Sequence, residues 1–314
     1  MIVILLLCVQ IAGVSEFMKQ RILMVVNPKA GRAKIKKYVD NIREKLEKSK
    51  FKIDLKHTTI ENSATDIIKK YKKDYDILIV CGGDGTLNQA VQALHDLDKN
   101  VQIGYIPAGT TNDFARSIGV SLNKLDTSNN LDKYTTEKVD LGKFNDRVFN
   151  YVVSAGVFSK TSYSTSVNAK NKFGRLAYVL AGVKDVFVCK PYRLIVKSKD
   201  KSIEDDFIYC SISNSKYVGG FNIFKNEHVE MDDGELEAIF IKKPKNFASM
   251  FKVMFKVLNG NFKDDDVRYF KTKELEIECD KDTEWSIDGE YSGKVKKIKI
   301  TNIRKRVEYI IPEA

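Results

Sequence analysis

Apolar and polar positions follow one another along this chain in two rhythms, and the change between them falls near residue 125. In the first part, 21–26 is an apolar run of the kind that buried strands have, and 76–81 and 101–106 are two further strand-like runs. The run at 51–56 alternates like a half-buried strand. Between these runs the period is helical. Ile35, Val39, Ile42 and Leu46 share one face of a stretch over 35–50, 64–71 has the same period, and Leu87, Ala90, Val91 and Leu94 begin a third helix. Strand and helix thus alternate four times, which predicts a parallel sheet with crossover helices. After a polar stretch at 126–130, read as a linker, strand-like runs dominate: 138–144, 148–153, 193–196, 207–212, 236–241, 275–279, 295–300 and 307–311. Only the stretches 173–187 and 247–258 are strongly helical, so a predominantly antiparallel second domain is expected.

The sharpest local signal lies where the run ending at Cys81 feeds Gly82, Gly83, Asp84, Gly85 and Thr86 straight into a helix. A strand, a glycine-rich turn and a helix N-terminus together make a phosphate site, because backbone N–H groups and the helix dipole both favour an anion there. A bare carboxylate at Asp84 would repel phosphate, so a divalent cation or a transferring proton must come between them. Two further unusual loops leave strand ends: Asn27, Pro28, Lys29, Ala30 and Gly31 after the first strand, and 107–114 after the fourth. The first of these is either a plain strand-to-helix loop or a phosphate-facing one, with Asn27 and the cation of Lys29 or Arg32 in reach. Ligands of parallel sheets sit at the C-terminal strand ends. All three loops are therefore expected to face one crevice.

At 314 residues the chain has room for two domains, and 43% hydrophobic with 30% charged residues is a globular composition. A net charge of +11 and a pI near 9.2 admit nucleic acid, an anionic membrane or an anionic substrate as partner. The lysines are scattered, and neither a zinc-finger spacing nor an RNP-like aromatic strand is present, which argues against nucleic acid. The five cysteines (Cys8, Cys81, Cys189, Cys210, Cys279) are odd in number and form no CxxC, as expected of buried thiols in a reducing compartment. Residues 1–14 are almost wholly apolar, yet no Lys or Arg precedes them and the run is too short to span a bilayer. Glu16 and Phe17 before Met18 resemble a cloning junction, so 1–17 is read as a leader or vector-derived segment. A genuine membrane anchor is the rival reading.

Taken in order, the motifs Asn27 to Gly31, Gly82 to Asn88, Ile106 to Phe114 and Ile287 to Glu290 resemble those of the diacylglycerol kinase catalytic family. That family includes soluble bacterial lipid kinases, sphingosine kinases and ceramide kinase. The resemblance runs from about residue 21 to near the C-terminus. It implies an N-terminal parallel-sheet α/β nucleotide-binding domain (18–128), a C-terminal antiparallel β-sandwich lipid domain (129–300) and a last segment (301–314) that returns to the first domain. It also implies transfer of the γ-phosphate of ATP, with Mg²⁺, to a lipid hydroxyl, with diacylglycerol converted to phosphatidic acid as a step of phospholipid synthesis. By the same resemblance Asn27, Pro28, Lys29, Ala30, Gly31, Thr58, Gly82, Gly83, Asp84, Gly85, Thr86, Asn88 and Thr110 contact the nucleotide, and Asp84 acts through Mg²⁺. Asp113, Arg116 and Asp140 match a polar network beside the active site. Arg32 stands where several relatives carry Lys, which replaces a point cation by a planar fork.

Glu290 matches the catalytic base. Phosphoryl transfer asks a protein for positioning, charge neutralisation and a proton acceptor, and a carboxylate after a tight Asp288-Gly289 turn can be that acceptor. An isolated Asp-Gly turn is equally a common hairpin. Asp233, with carbonyls of Glu230 and Glu235, matches a structural Mg²⁺ site; an acidic hairpin turn is the plainer alternative. In 247–258, Phe247, Met250, Phe251, Met254, Phe255 and Leu258 share a face opposite lysines, and periodicity does not choose between core packing and lipid contact. The resemblance implies a cytoplasmic protein, peripherally associated with an anionic membrane surface that holds its lipid substrate. It leaves a homodimer open. The competing readings are a kinase for a soluble acceptor such as NAD and a non-catalytic nucleotide- or membrane-binding regulator.

Overall fold

Side chains that are apolar at nearly every position can be buried only by a strand covered on both faces, and the first and third strands are built this way, whereas the second is only half-buried. In the computed structural model, which describes residues 20–30, 35–48, 51–72, 75–122, 134–157 and 190–312, β1 (Arg21–Val26) pairs in parallel with β2 (Lys52–His57) and with β3 (Ile77–Gly82). β4 (Gln102–Pro107) pairs in parallel with β3. The crossovers are α1 (Ile35–Lys48), α2 (Ala64–Tyr71) and α3 (Asp84–Asp96), and the short α4 (Asp113–Ser117) follows β4. Ile35, Val39 and Ile42 of α1 pack on Ile22, Met24, Ile77 and Ile79, as their spacing requires. Ser63 and Asp66 form a reciprocal capping box that starts α2.

The later strands are β5 (Tyr134–Phe144), β6 (Arg147–Phe149), β7 (Val152–Gly156), β8 (Tyr192–Ser198), β9 (Ser202–Ser213), β10 (Tyr217–Val218), β11 (Phe221–Asn222), β12 (Leu236–Lys242), β13 (Val267–Thr272), β14 (Glu274–Ile287) and β15 (Glu290–Pro312). β7, β9, β8 and β14 bond to one another in a closed ring, each pair antiparallel. Their inward side chains, Trp285, Phe207, Leu194, Val196, Cys210 and Ile277 among them, form one apolar core.

The expectation of a separate parallel α/β domain beside a separate antiparallel sandwich is corrected here. Among the described residues, thirteen strands form one mixed sheet, whose main path runs β13-β12-β9-β7-β14-β15-β4-β3-β1-β2. The cause is β15, 23 residues long, which pairs antiparallel with β14 over its first half and parallel with β4 near its end. The chain nevertheless divides into two compact units by contacts, one reaching Val139 and resuming at Lys305, the other Asp140–Arg304. Lys305, at that boundary inside β15, has a left-handed φ of 48°.

α5 (Phe247–Leu258) begins at Asn246, whose side chain accepts from the Ser249 N–H while Ser249 Oγ accepts from the Asn246 N–H. Its buried stripe is Met250 and Val253, with Met254, Val257 and Leu258 partly covered. Phe251 and Phe255 are exposed. At 3.6 residues per turn the helix carries two overlapping apolar stripes, and the core takes the one centred on Met250 rather than the aromatic one. The stretches 1–17, 126–130 and 173–187 lie outside the described residues.

Candidate active site

Three loops leave the C-terminal ends of β1, β3 and β4, and they touch one another. Asn27 Nδ2 donates to Thr86 Oγ1 at 3.1 Å, and Asn27 N donates to the Cys81 carbonyl at 2.8 Å. The Lys29 N–H closes the loop onto Asn27 Oδ1, leaving Pro28 and Lys29 exposed and Ala30 half-buried. Thr58 lies just past β2, its N–H donating to the carbonyl of Val26. Gly31 and Arg32 fall outside the described residues.

Glycine is needed in these loops for proximity. A Cβ on Gly82 would lie 2.6 Å from the side chain of Thr86, and one on Gly109 would lie 2.9 Å from the Cα of Gly83. The β3 and β4 loops therefore meet backbone against backbone. Asn112, left-handed at φ 48°, ties its own loop shut: its Oδ1 accepts from the Gly109 N–H and its Nδ2 donates to the Gly109 carbonyl. Thr110 stands exposed on that loop. Gly85 and the buried Asn88 sit on the first turns of α3.

Asp84 is the first residue of α3 and is buried, where the helix dipole favours its negative charge. Its Oδ1 accepts from Tyr105 OH at 3.4 Å and its Oδ2 from the Asp113 N–H at 3.3 Å. Both contacts are long for hydrogen bonds to a carboxylate. Asp113 is fully buried, and Arg116 Nε donates to the Thr111 carbonyl. Sequence reasoning missed Tyr105 and Asn112. Tyr105 reads as one more apolar residue of a strand, and Asn112 lies unmarked inside a motif.

In the second unit the turn before Glu290 is held by its neighbour. Asp288 is almost completely buried, and its two oxygens accept from Asn150 N (2.8 Å), Asn150 Nδ2 (3.1 Å), Tyr151 N (3.0 Å) and Val152 N (3.1 Å). Burial raises its pKa, against the pull of those four donors. Asp288 and Gly289 both have positive φ, and Ile287 pairs with Glu290 across them, the geometry of a two-residue hairpin turn. Glu290 itself is exposed on the first residue of β15.

Asp140 serves the acidic turn at 230–235. Its Oδ2 accepts from the Gly234 N–H at 2.7 Å and from Asn302 Nδ2 at 3.1 Å. It belongs to the second unit, whereas Asp113 and Arg116 belong to the first. Asp233 Oδ1 accepts from the Glu235 N–H, and its Oδ2 lies 3.4 Å from Lys271 Nζ. Lys271 Nζ also donates to the His228 carbonyl at 2.6 Å, while Glu230 pairs with His228 on the surface. The Glu235 carbonyl accepts from Asn302. This carboxylate turn thus has an ammonium against it. Among the described residues there is no group of three or more His, Cys, Asp and Glu side chains poised to hold a metal. Mg²⁺ bound with nucleotide phosphates asks for only one or two carboxylates and keeps several waters, and a carboxylate such as Asp84, at a helix N-terminus beside these loops, is of the kind that fits that need.

Beside this turn, Glu237 is completely buried, without hydrogen-bond partners for either oxygen, and 3.7 Å from Lys271 Nζ. Burial pushes its pKa up to about 8, with Lys271 opposing. The folded protein therefore keeps the proton after the unfolded chain has released it. The stability this provides is complete below the ordinary glutamate range and is lost as pH rises toward about 8. Chemical denaturation is expected to show about 2 kcal/mol less stability at pH 8 than at pH 6 from this group. Glu237→Gln should flatten that slope, and an unchanged slope would remove Glu237 as its source.

A parallel sheet whose strand ends carry a glycine-lined loop, a helix N-terminus and a buried acidic residue has the parts that phosphate-binding enzymes use. Residues 21–144 match the diacylglycerol kinase catalytic domain, and residues 151–305 match the YegS C-terminal NAD kinase beta sandwich-like domain. The diacylglycerol kinase of Bacillus subtilis (strain 168) is 26% identical over 297 residues, 94% of this chain and 97% of that protein. That of Staphylococcus carnosus (strain TM300) is 28% identical over 298 residues, 94% of this chain and 96% of that protein. A crystal structure of a diacylglycerol kinase from Bacillus anthracis str. Sterne superposes with a TM-score of 0.77 at 25% identity, covering 94% of this chain and 98% of that one. The chain belongs to the bacterial diacylglycerol kinase and YegS family, and it is an ATP- and Mg²⁺-dependent lipid kinase.

Proposed function

We propose that the acceptor is diacylglycerol, phosphorylated to phosphatidic acid, and that Glu290 takes the hydroxyl proton. The observation that supports this acceptor is the end-to-end match to proteins named diacylglycerol kinase, which spans both units. In this reading the loops bearing Asn27 to Ala30, Gly82 to Thr86 and Thr110 bind the ATP phosphates, with Thr58 and Asn88 at their margins. Asp84 would hold Mg²⁺, which would supply neutralisation of the phosphate charge. The acceptor oxygen attacks the γ-phosphorus, the bond to the β–γ bridging oxygen breaks, ADP leaves and the proton passes to Glu290. An ion at Asp233 and the Glu230 and Glu235 carbonyls would share its carboxylate with Lys271. The protein works at the cytoplasmic face of an anionic membrane as a peripheral enzyme, a reading supported by its charge of +11.

The test is transfer of radiolabel from ATP into mixed micelles of diacylglycerol, with other long-chain alcohols and NAD in parallel. Labelled phosphatidic acid is expected. Label in NAD and in no lipid would assign a soluble acceptor instead.

A further inference from the structure

α5 is held to the protein by one face only. Met250 and Val253 are buried, yet Phe255 is 70% exposed and Phe251 43% exposed. These two are the most exposed phenylalanines among the described residues. Four residues apart, they project together, and Ala248 and Lys252 fall on the same exposed arc. Along the sequence of the helix and its flanks the charge has one sign. From residue 238 to 263 there are six lysines and no acidic residue, and Lys243, Lys245, Lys252 and Lys263 are exposed. Asp264, which ends the run, is already paired with Lys256 at 2.8 Å and with Lys252 at 3.9 Å. The Asn246–Ser249 capping box fixes where the helix starts, so the aromatic pair is presented on a rigid element.

We propose that the exposed face of α5 docks on an anionic lipid bilayer, with Phe251 and Phe255 inserted among the lipids and the lysines against the headgroups. A helix with one apolar face in the protein and aromatic residues on the other lies flat in an interface, and basic flanks draw it to anionic headgroups. A second copy of this chain is disfavoured as occupant, because a self-complementary contact through this face would bring the same lysines together. The inference deepens the lipid-kinase reading, since it names how the enzyme reaches an acceptor that resides in a bilayer.

Sedimentation with vesicles of phosphatidylcholine and phosphatidylglycerol, without ATP, tests it. The wild-type protein is expected to bind and to release in high salt, and F251S/F255S to bind at least roughly tenfold more weakly. The variant should melt where the wild type does and keep its turnover on short-chain diacylglycerol in detergent micelles. Equal vesicle binding by both proteins, or none by the wild type, overturns the proposal. A change in mass by light scattering with vesicle binding unchanged also overturns it and assigns the face to a second copy. Vesicle binding that depends on the two phenylalanines, with no lipid phosphorylated by either protein, keeps the docking face and removes the acceptor reading. If the double variant melts early, Phe255→Trp replaces it. Its emission should shift to the blue on these vesicles against Trp285, the one native tryptophan, which is buried. No shift counts against insertion.

Discussion

Glu290→Gln is expected to lower turnover by roughly 10²–10⁴-fold while ATP affinity and melting temperature stay close to those of the wild type. The side chain is exposed at the end of a hairpin, so its amide fits the same space and no buried contact is lost. What disappears is a proton acceptor. Asp84→Asn should behave differently. Asp84 sits at the helix N-terminus beside the glycine-rich loops, and neutralising it should impair both the apparent ATP affinity and the rate if these loops hold the phosphates as proposed. Steady-state kinetics over a range of ATP concentrations separates the two patterns. Near-normal turnover by Glu290→Gln, in a preparation free of host kinase, would move the base elsewhere in the crevice, to Asp113 or Asp84.

The largest loss of stability is expected at the residue beside it. Asp288→Ala removes the acceptor from three backbone N–H groups and one side-chain amide, all in a buried setting. Leaving several such donors unpaired should cost about 4 kcal/mol or more, and a left-handed alanine adds to the cost. Asp288→Asn tolerates the left-handed backbone and keeps one acceptor oxygen, so it should fall between. Urea denaturation measures both. Turnover per folded molecule should also drop, because the clamp is what fixes the backbone carrying Glu290. A stable Asp288→Ala protein with full activity would show that the turn holds its shape unaided.

The contrast between these two carboxylates marks what was legible in the chain. Glu290 could be picked out because it lies in a short motif, and β1 and β3 could be placed because strands buried on both faces leave nearly unbroken apolar runs, while β2 shows itself by alternation. The loops at Asn27, Gly82 and Pro107 were legible for the same local reason. The clamp on Asp288 was not, since its partners lie some 138 residues earlier and no local pattern records them. Asp140 likewise finds Gly234 only through the fold, 94 residues on. The continuity of β15 was hidden by composition. The runs at 295–300 and 307–311 are separated by Thr301 to Arg306, a mostly polar stretch that reads as a gap. On α5 both stripes are apolar, so hydrophobicity alone does not say which one the core would take.

The long strand also sets an order of events on the ribosome. Gln102 pairs with Glu308, 206 residues later, and Tyr309 packs its ring 4.9 Å from that of Phe114. The unit that carries the loops at Asn27, Gly82 and Pro107 thus receives a strand of its own sheet from residues translated well after the unit's other strands. At about 5–20 residues per second, β4 waits on the order of tens of seconds with one edge unpaired. During that interval the nascent chain offers an unpaired strand edge to any neighbour. A chain broken before Glu308 would then injure the unit that holds β4, although the lesion lies 206 residues after Gln102.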